Sequence, residues 1–480
     1  MKKTIFITSL FTFLFSFLAS AQQKSSIDLT NYTISEKAVT YSDYSENTKQ
    51  TIISILDDTK LNLIVLDEAL NKTKDSIFFE LPSTGYHIEK TSITSKNINY
   101  LLAKKDGYMS LLSYDKTTKE WNLGNSLLKD GERLLSSFLY KHKFHLFNYE
   151  RKTGLIKEYT AEANGLIPVK TYNLNNFRLG ENDLSFFLKK KKKAFKTITS
   201  ESPNDLFAAR KSKKVYQFNE FVYFSIDDST SNNTGLIEFN LKTKKHSVSY
   251  FKNTVSYCDS IQFSTSTLTK NYIATIAGCV EKATITFWSL KTRKPIKTTV
   301  LVEKELISIK NFDNMISPKK AHSIEILKSQ VFLRHLVKGA AAIYLREDKN
   351  NLELIAGHLS IKKKKNKQKK SGGGKGDGSG GGKQKKSSQE KNKVKGLGLS
   401  KSYLNYDSSR PQYFVSNLDL SSMKFNTEMV YENTFEKIKA FKLKNNINVH
   451  KNQFLILKDS AFWFGYINNE TKKLELVKIN

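Results

Sequence analysis

Apolar and polar residues alternate along most of this chain in short runs of about four to eight positions, the pattern of half-buried β-strands. Ile261-Gln-Phe-Ser-Thr265, Ile285-Thr-Phe-Trp288 and Phe454-Leu-Ile-Leu457 are typical, and clusters of Lys, Asn, Thr, Ser and Asp separate them. Sustained helical spacing is scarce. The best helical candidate, Arg133 to His145, reads equally well as two strands.

A turn of the form acceptor-x-x-Thr/Ser/Asn recurs between strand-like runs, headed by Asp115, Glu150, Asn240, Ser289, Glu347, Asp419 and Asn468. In such a turn the acceptor side chain takes a backbone N–H two or three residues on, and a permissive residue such as Gly154 closes the hairpin. With one unrecognised copy near the Lys189–Lys193 run, and with the atypical stretch 362–396 set aside, these turns imply a period of roughly 35 to 60 residues, each carrying several strands. That is the spacing of propeller blades. The expected fold is all-β and β-propeller-like, with seven or eight blades. A stack of smaller β-domains is the competing architecture, but ring closure leaves only short protected edges where open sheets would invite edge pairing.

One stretch resembles a known family. Residues 256–300 are similar to a WD40 blade: strand Ser260-Ile-Gln-Phe-Ser264, strand Tyr272 to Ala277, strand Ala283-Thr-Ile-Thr-Phe-Trp-Ser289, then a Leu-Lys-Thr-Arg-Lys turn into a fourth. Ser289 stands where the family carries the Asp of its Trp-Asp pair, Lys282 where it places a structural Asp, and no Gly-His dipeptide precedes them. The resemblance therefore implies a propeller-like blade without the family's Asp-His network, and it implies no catalytic residues.

The first 21 residues break the strand pattern. Lys2 and Lys3, the apolar run Ile5 to Leu18 and Ala19-Ser20-Ala21 make a cleavable export signal, with a retained anchor helix as the alternative. The apolar run is shorter than the ~20 residues of a membrane span, and no later segment reaches that length without charges. The expected domain organisation is a signal at 1–21 and a single propeller-like domain at 22–480, interrupted by residues 362–396. This insertion reads KKKKNKQKK, then SGGGKGDGSGGGKQKK, and has no aromatic residue. It cannot bury enough surface to offset the entropy of ordering, so it is expected to be disordered. A linker between two domains is the less favoured alternative.

Charge sharpens this division. The chain has 78 Lys plus Arg against 46 Asp plus Glu, a formal net of +32. Two of those charges leave with the signal and +12 sits in the insertion, so a moderately basic body of +18 remains. Lys189, Lys190, Lys191, Lys192 and Lys193, flanked by Phe186, Phe187 and Phe195, form a second basic run. Together with Lys362, Lys363, Lys364, Lys365, Lys369 and Lys370 they are the candidate polyanion-binding residues. The competing reading is of solvated lysines that keep a β-rich protein soluble, and composition alone leans that way. Lys far outnumbers Arg in these runs, which argues against bidentate reading of bases and so against a specific nucleic-acid target.

Two cysteines and six prolines exclude disulfide-scaffolded miniproteins, Cys-rich zinc modules and proline-rich chains. If Phe263 lies opposite Ala274 in a hairpin, Cys258 falls opposite Cys279, and in an exported protein the pair is expected to form a disulfide; two free buried thiols are the alternative. The eight histidines are scattered, and His142 and His145, three apart on a strand, point to opposite faces. No metal site, cofactor or catalytic motif is expected: HExxH, GxSxG and P-loop patterns are absent, and Gly372–Gly382 is low complexity. The acid pairs Asp57-Asp58 and Asp227-Asp228 read as turns. These observations lead to an exported, non-catalytic binding or scaffold protein of the envelope or exterior, contacting anionic polysaccharide, lipopolysaccharide or another envelope component. A propeller-fold carbohydrate-active hydrolase, with carboxylates brought together from distant strands, and a structural envelope component are the alternatives.

Overall fold

The computed structural model describes residues 23–479, leaving out 33, 36, 74–76, 105–106, 128, 190–194, 200–201, 254, 256–257, 304, 306, 311, 314–328, 349, 360–410, 428–433 and 448–451. The chain opens with β1 (Lys24–Asp28) and then builds sheet after sheet from consecutive strands. Blade 1 is β2 (Val39–Ser45), β3 (Gln50–Asp57), β4 (Lys60–Leu66) and β5 (Ile77–Glu80), and blade 2 is β6 (His87–Ile93), β7 (Asn97–Ala103), β8 (Met109–Asp115) and β9 (Trp121–Leu123). Blade 3 is β10 (Glu132–Tyr140), β11 (Lys143–Glu150), β12 (Ile156–Glu162) and β13 (Gly165–Tyr172). The segment Arg133 to His145, open between helix and strands in the sequence, is thus two strands.

Between blades 3 and 4 lie a small hairpin, β14 (Arg178–Leu179) and β15 (Asn182–Asp183), and the helix α1 (Leu184–Lys189). Then come β16 (Lys196–Thr197) and the short helix α2 (Leu206–Ala209). Blade 4 follows as β17 (Lys213–Phe218), β18 (Phe221–Asp228), β19 (Asn233–Asn240) and β20 (His246–Lys252), with β16 added parallel along the free edge of β17. Blade 5 is β21 (Phe263–Leu268), β22 (Tyr272–Gly278), β23 (Lys282–Ser289) and β24 (Pro295–Val302). Blade 6 is led in by β25 (Phe312–Asp313) and the helix α3 (Ser329–Lys338), and contains β26 (Ala340–Asp348), β27 (Asn351–Leu359), β28 (Pro411–Asp419) and β29 (Lys424–Asn426). Its outer edge is shared: β25 and β29 pair with different stretches of β28. After the helix α4 (Thr434–Lys444), β30 (Gln453–Lys458), β31 (Ala461–Asn468) and β32 (Lys473–Ile479) make blade 7.

Blade 7 lacks a fourth strand of its own and takes β1, from the other end of the chain, in antiparallel register from Lys24↔Val477 to Asp28↔Lys473. The first strands of successive blades adjoin: β2 meets both β30 and β6, β6 meets β10, and β21 meets β26. Seven sheets of four or five strands, joined in order and closed by the exchanged strand, make a seven-bladed β-propeller. Apolar clusters fill the spaces between sheets, such as Ile52, Leu63, Tyr100 and Leu112 between blades 1 and 2.

Antiparallel order gives the ring two distinct faces. Connections between blades share one face, here the crossing face, with the turns between second and third strands; backbone bonds Leu81 N–Thr59 O (2.8 Å) and Glu303 N–Glu281 O (2.7 Å) tie them together. The other turns share the opposite face, here the turn face, linked by Leu241 N–Glu220 O (2.8 Å) and Leu290 N–Asn271 O (2.9 Å).

The recurring acceptor turns form as local chemistry predicts, but not at one structural position. Asp115 Oδ1 accepts from the N–H of Thr117 and Thr118 (2.7 and 3.0 Å), Asn240 Oδ1 from Lys242 and Thr243 (2.9 and 2.8 Å), and Asn468 Oδ1 from Glu470 and Thr471 (3.0 and 3.2 Å). Those headed by Asp115, Asn240, Ser289 and Asp419 join third to fourth strands, Glu150 and Asn468 head turns between second and third, and Glu347 lies between first and second. The sequence period was therefore an average over unlike turns. The further copy expected near Lys189–Lys193 falls where α1 ends, and Lys190 to Lys193 lie outside the described residues.

In the long break of blade 6, β27 and β28 pair without slippage from Asn351↔Asp419 to Leu359↔Pro411. Residues 360–410 thus join two neighbouring strands of one sheet. The 362–396 insertion, expected to be disordered, lies outside the described residues.

Candidate functional site

The two lysine-rich stretches singled out in the sequence are anchored on the same face of the ring. The 362–396 insertion falls between second and third strands of blade 6, and the 189–193 run in the connection from blade 3 to blade 4; the strand ends that flank both lie on the crossing face. Lys189 closes α1; Lys190 to Lys193, and Lys362, Lys363, Lys364, Lys365, Lys369 and Lys370, lie outside the described residues. The flanks of the shorter run are fixed to the first strand of blade 4. Lys213 Nζ donates to Phe187 O (2.6 Å) and lies 5.6 Å over the ring of Phe195, while Phe186 remains exposed.

The segment that follows, residues 198–211, crosses the inner side of the ring. Ile198 N bonds Val215 O (2.9 Å), Tyr344 OH on the first strand of blade 6 donates to Ser202 O (2.7 Å), and Thr265 Oγ1 on the first strand of blade 5 lies 3.5 Å from Ala209 O. Ser202, Asn204 and Asp205 are buried, and Leu206, Ala208 and Ala209 belong to one apolar cluster with residues of blades 4, 5, 6 and 7. Asp205 holds the segment's fold by accepting from Thr199 N (3.0 Å). On the side of blades 4 to 7 the centre of the propeller is thus occupied by the protein's own chain.

The carboxyls of the inner strands go to separate partners. On β10, Glu132 accepts from Tyr159 OH (2.7 Å) and Asn148 Nδ2 (3.0 Å), and Glu89 on β6 lies 2.7 Å from His87 Nε2. On β2, Asp43 is half-buried, and desolvation pushes its carboxyl up to about 7 against the opposing pull of the Thr91 hydroxyl and the Lys90 charge. Two carboxyls lie deeper. Glu158 on β12 meets His145 Nδ1 (2.7 Å), Tyr172 OH (2.6 Å) and Lys244 Nζ (2.6 Å). Burial raises it, but these three bonds outweigh burial and hold it below the usual range. It forms one wall of a cavity of about 290 Å³ with Lys157, Tyr159, Pro168 and Val169, where β13 bulges against β12.

Asp227 sits at the boundary of blades 4 and 5. Its carboxylate pairs with the buried ammonium of Lys214 and accepts from Thr234 Oγ1 (2.9 Å), Ser266 Oγ (2.6 Å) and Ser266 N (3.1 Å). Thr265 Oγ1 bridges the pair, 3.1 Å from Asp227 and 3.2 Å from Lys214. The sequence reading took Asp227-Asp228 as a turn. That holds for Asp228, which bonds Thr230 and Ser231, whereas Asp227 is a long-range lock. Among the described residues no three His, Cys, Asp or Glu side chains converge on a metal site.

Cys258 and Cys279 are joined, their Cα atoms 6.1 Å apart. Their pairing does not come from facing positions of the hairpin, whose register differs from the expected one. Phe263 pairs with Gly278, not Ala274, and β21 begins at Phe263 rather than Ser260. Cys258 comes from the connection entering blade 5, and Cys279 from the turn just after β22.

No protein-family model matches the sequence, and no curated protein does. Among solved structures, Sqt1 of Saccharomyces cerevisiae aligns at 6% identity and a TM-score of 0.37, covering 92% of this chain and 83% of that one. A prolyl endopeptidase aligns at 9% and 0.36, with 92% of this chain spanning 49% of its length, and a protein from Lactobacillus plantarum at 8% and 0.29, with 66% and 80% covered. At such scores the fold rests on the strand order and closure described above.

Lys214–Asp227, Glu158 and the crossing segment were not legible in the sequence, because their partners lie on other strands or blades, 13 or more residues away. One signal is local: the turns after Asn240 and Ser289 read Leu-Lys-Thr-Lys-Lys and Leu-Lys-Thr-Arg-Lys, like turns with like charge.

Proposed function

We propose that this is an exported, non-catalytic binding or scaffold protein of the cell envelope or exterior, which contacts anionic polymers through its basic insertion. The supporting observation is placement: the insertion leaves and re-enters a rigid hairpin at Leu359 and Pro411, on the face that also anchors the 189–193 run. A tethered array of Lys held on one side of a stable ring concentrates positive potential there and attracts polyanions in a salt-dependent way. The finer likeness of residues 256–300 to a WD40-type blade fits a scaffold role, since the four strands β21 to β24 follow that plan. Among the described residues no helix is long and apolar enough to cross a membrane.

Deletion of 362–396 tests the reading. Retention of the mature protein on immobilised dextran sulfate is expected to weaken and to elute at lower salt; undiminished retention overturns the role of the insertion. Fractionation of cells producing the full chain is expected to place it outside the cytoplasm, shortened by the signal.

A further inference from the structure

The turn face carries a charged surface that neither lysine-rich stretch accounts for. On blades 4 and 5 the turns between third and fourth strands are built alike. Asn240 Oδ1 accepts from Thr243 N (2.8 Å) and Ser289 Oγ from Thr292 N (3.2 Å). Lys244 and Arg293 adopt the left-handed conformation (φ 58° in each), and Leu241 and Leu290 turn inward to the core. Each turn is therefore a fixed platform, and its remaining side chains project into solvent.

Lys242, Lys245, Lys291, Arg293 and Lys294 are exposed there, and so is Lys270 on the neighbouring turn of blade 5, which Leu290 N–Asn271 O (2.9 Å) ties to the same platform. Among the described residues none of these six makes an ion pair, whereas Lys244 beside them is engaged with Glu158. Elsewhere on the same face acids are interspersed: the turns of blades 1 and 7 expose Glu46, Glu68 and Asp459 along with Lys49, and blade 6 exposes Asp348 next to Glu347, which accepts from Asn271 Nδ2 (2.7 Å). On the two turns between third and fourth strands of blades 4 and 5, by contrast, the exposed charges are all positive.

We propose that the turns of blades 4 and 5 form a docking surface for an extended anionic polysaccharide. Five of the six cations are Lys, point charges suited to carboxylate or sulfate groups repeated along a chain rather than to bidentate reading of one group. Residues 242–245, 270–271 and 291–294 at the turn tips include no aromatic side chain to stack on bases and no large apolar one to enter a bilayer, and the ring of His246 beside them is engaged with Tyr172 and Phe239. The inference shares with the proposed function the attraction to polyanions, but rests on other residues and the other face.

The experiment uses the mature chain lacking 362–396, with and without Lys242→Glu, Lys245→Glu, Lys291→Glu and Arg293→Glu. The probes are dextran sulfate and polygalacturonate, against anionic phospholipid vesicles and single-stranded DNA. The deletion protein is expected to keep salt-dependent binding to both polysaccharides, and the four reversals to weaken it tenfold or more and flatten its salt dependence. Equal binding by the two proteins overturns the proposal, as does complete loss of binding on deletion of 362–396, a result that leaves the role of the insertion standing. Undiminished binding after the deletion, abolished by the reversals, supports the turn surface and removes that role. Tighter binding to vesicles or DNA than to either polysaccharide overturns the choice of partner. If the reversals disturb the thermal transition, Lys→Gln changes at Lys242, Lys245 and Lys291 give the same reading with a smaller loss.

Discussion

The propeller is held differently at two of its seams. Between blades 7 and 1 the contact is mainly apolar: Phe454, Ile456, Trp463 and Leu474 pack with Ile53, Ile55, Ile64 and Leu66, Ser42 Oγ donates to Leu455 O (2.9 Å), and β1 is exchanged across the closure. Between blades 4 and 5 the inner contact is a polar cluster of Lys214, Ser225, Asp227, Thr234, Thr265 and Ser266, all buried. The apolar seam tolerates imperfect fit at modest cost, because dispersion and burial are spread over many atoms. The polar seam is all or nothing, since each buried group depends on its partner for what water no longer supplies.

The largest effect is therefore expected at the polar seam. Asp227→Ala leaves the Lys214 ammonium buried without its counter-charge, a loss of about 3–5 kcal/mol for a broken buried pair. Burial already pushes that ammonium down, with Asp227 pulling it back, so without Asp227 it should shed its proton rather than stay charged. The urea midpoint of Asp227→Ala should fall steeply, and the double change Asp227→Leu with Lys214→Met should recover the greater part of it. A double variant as unstable as the single one would show that the seam depends on the hydroxyls and not on the ion pair.

The covalent link comes next. Cys258–Cys279 fastens the connection leaving blade 4 to the turn after β22, and so reinforces the seam that depends on polar partners. Closing a loop of 21 residues' separation is worth about 3 kcal/mol in the chain-entropy model. Cys258→Ser with Cys279→Ser should lower the urea midpoint by that order. It should also make Ser266 and Ala277 amides exchange faster, with little change in β1 or β32. Uniform loosening of the whole ring would contradict a local role. At the apolar seam the effect is smaller: a Cβ at Gly465 would meet the Phe454 ring at 2.2–2.3 Å, so Gly465→Ala should cost about 1–3 kcal/mol by overpacking. Adding Phe454→Leu should relieve most of it in a denaturation series.

The same contrast explains what could be read in advance. Strands such as Phe454–Leu457 and Ile285–Trp288 carry their own signal, because a period of two and β-branched or aromatic residues suffice to mark a half-buried strand. Turns announced themselves too, since an Asn or Asp acceptor binds N–H groups two or three residues away. Register did not: the pairing of Phe263 with Gly278 depends on the short Thr269–Asn271 turn, where Thr269 Oγ1 accepts from Tyr272 N (3.1 Å). Nor could the partners of Asp227 be read, since Thr265 and Ser266 lie on the next blade and nothing in the local pattern distinguishes a locking Asp from a turn Asp. The charged turns of blades 4 and 5 are legible in the sequence, since Leu-Lys-Thr-Lys-Lys and Leu-Lys-Thr-Arg-Lys follow the acceptors Asn240 and Ser289.

Asp43 provides the finest test of the comparison, because it is a desolvated carboxyl at the seam of blades 1 and 2 that no buried ammonium matches as Lys214 matches Asp227. The Thr91 hydroxyl and the Lys90 charge pull it down, and Tyr100, which bonds Ser54 (2.9 Å), is the aromatic hydroxyl nearby. Desolvation wins, and the carboxyl is held at about 7 in the folded protein. A raised carboxyl binds its proton more tightly folded than unfolded, so stability falls as pH rises from about 4, where the unfolded chain gives up its proton, to about 7, and levels off above. Asp43→Asn, which mimics the protonated form, should remove that slope and raise the urea midpoint at pH 8 by an amount on the order of 1–2 kcal/mol, with no change at pH 4. A wild-type midpoint that rises between pH 5 and pH 7 by an amount Asp43→Asn abolishes would mean that the carboxylate is stabilised in place, and that a seam in this propeller can hold a charge without a buried partner.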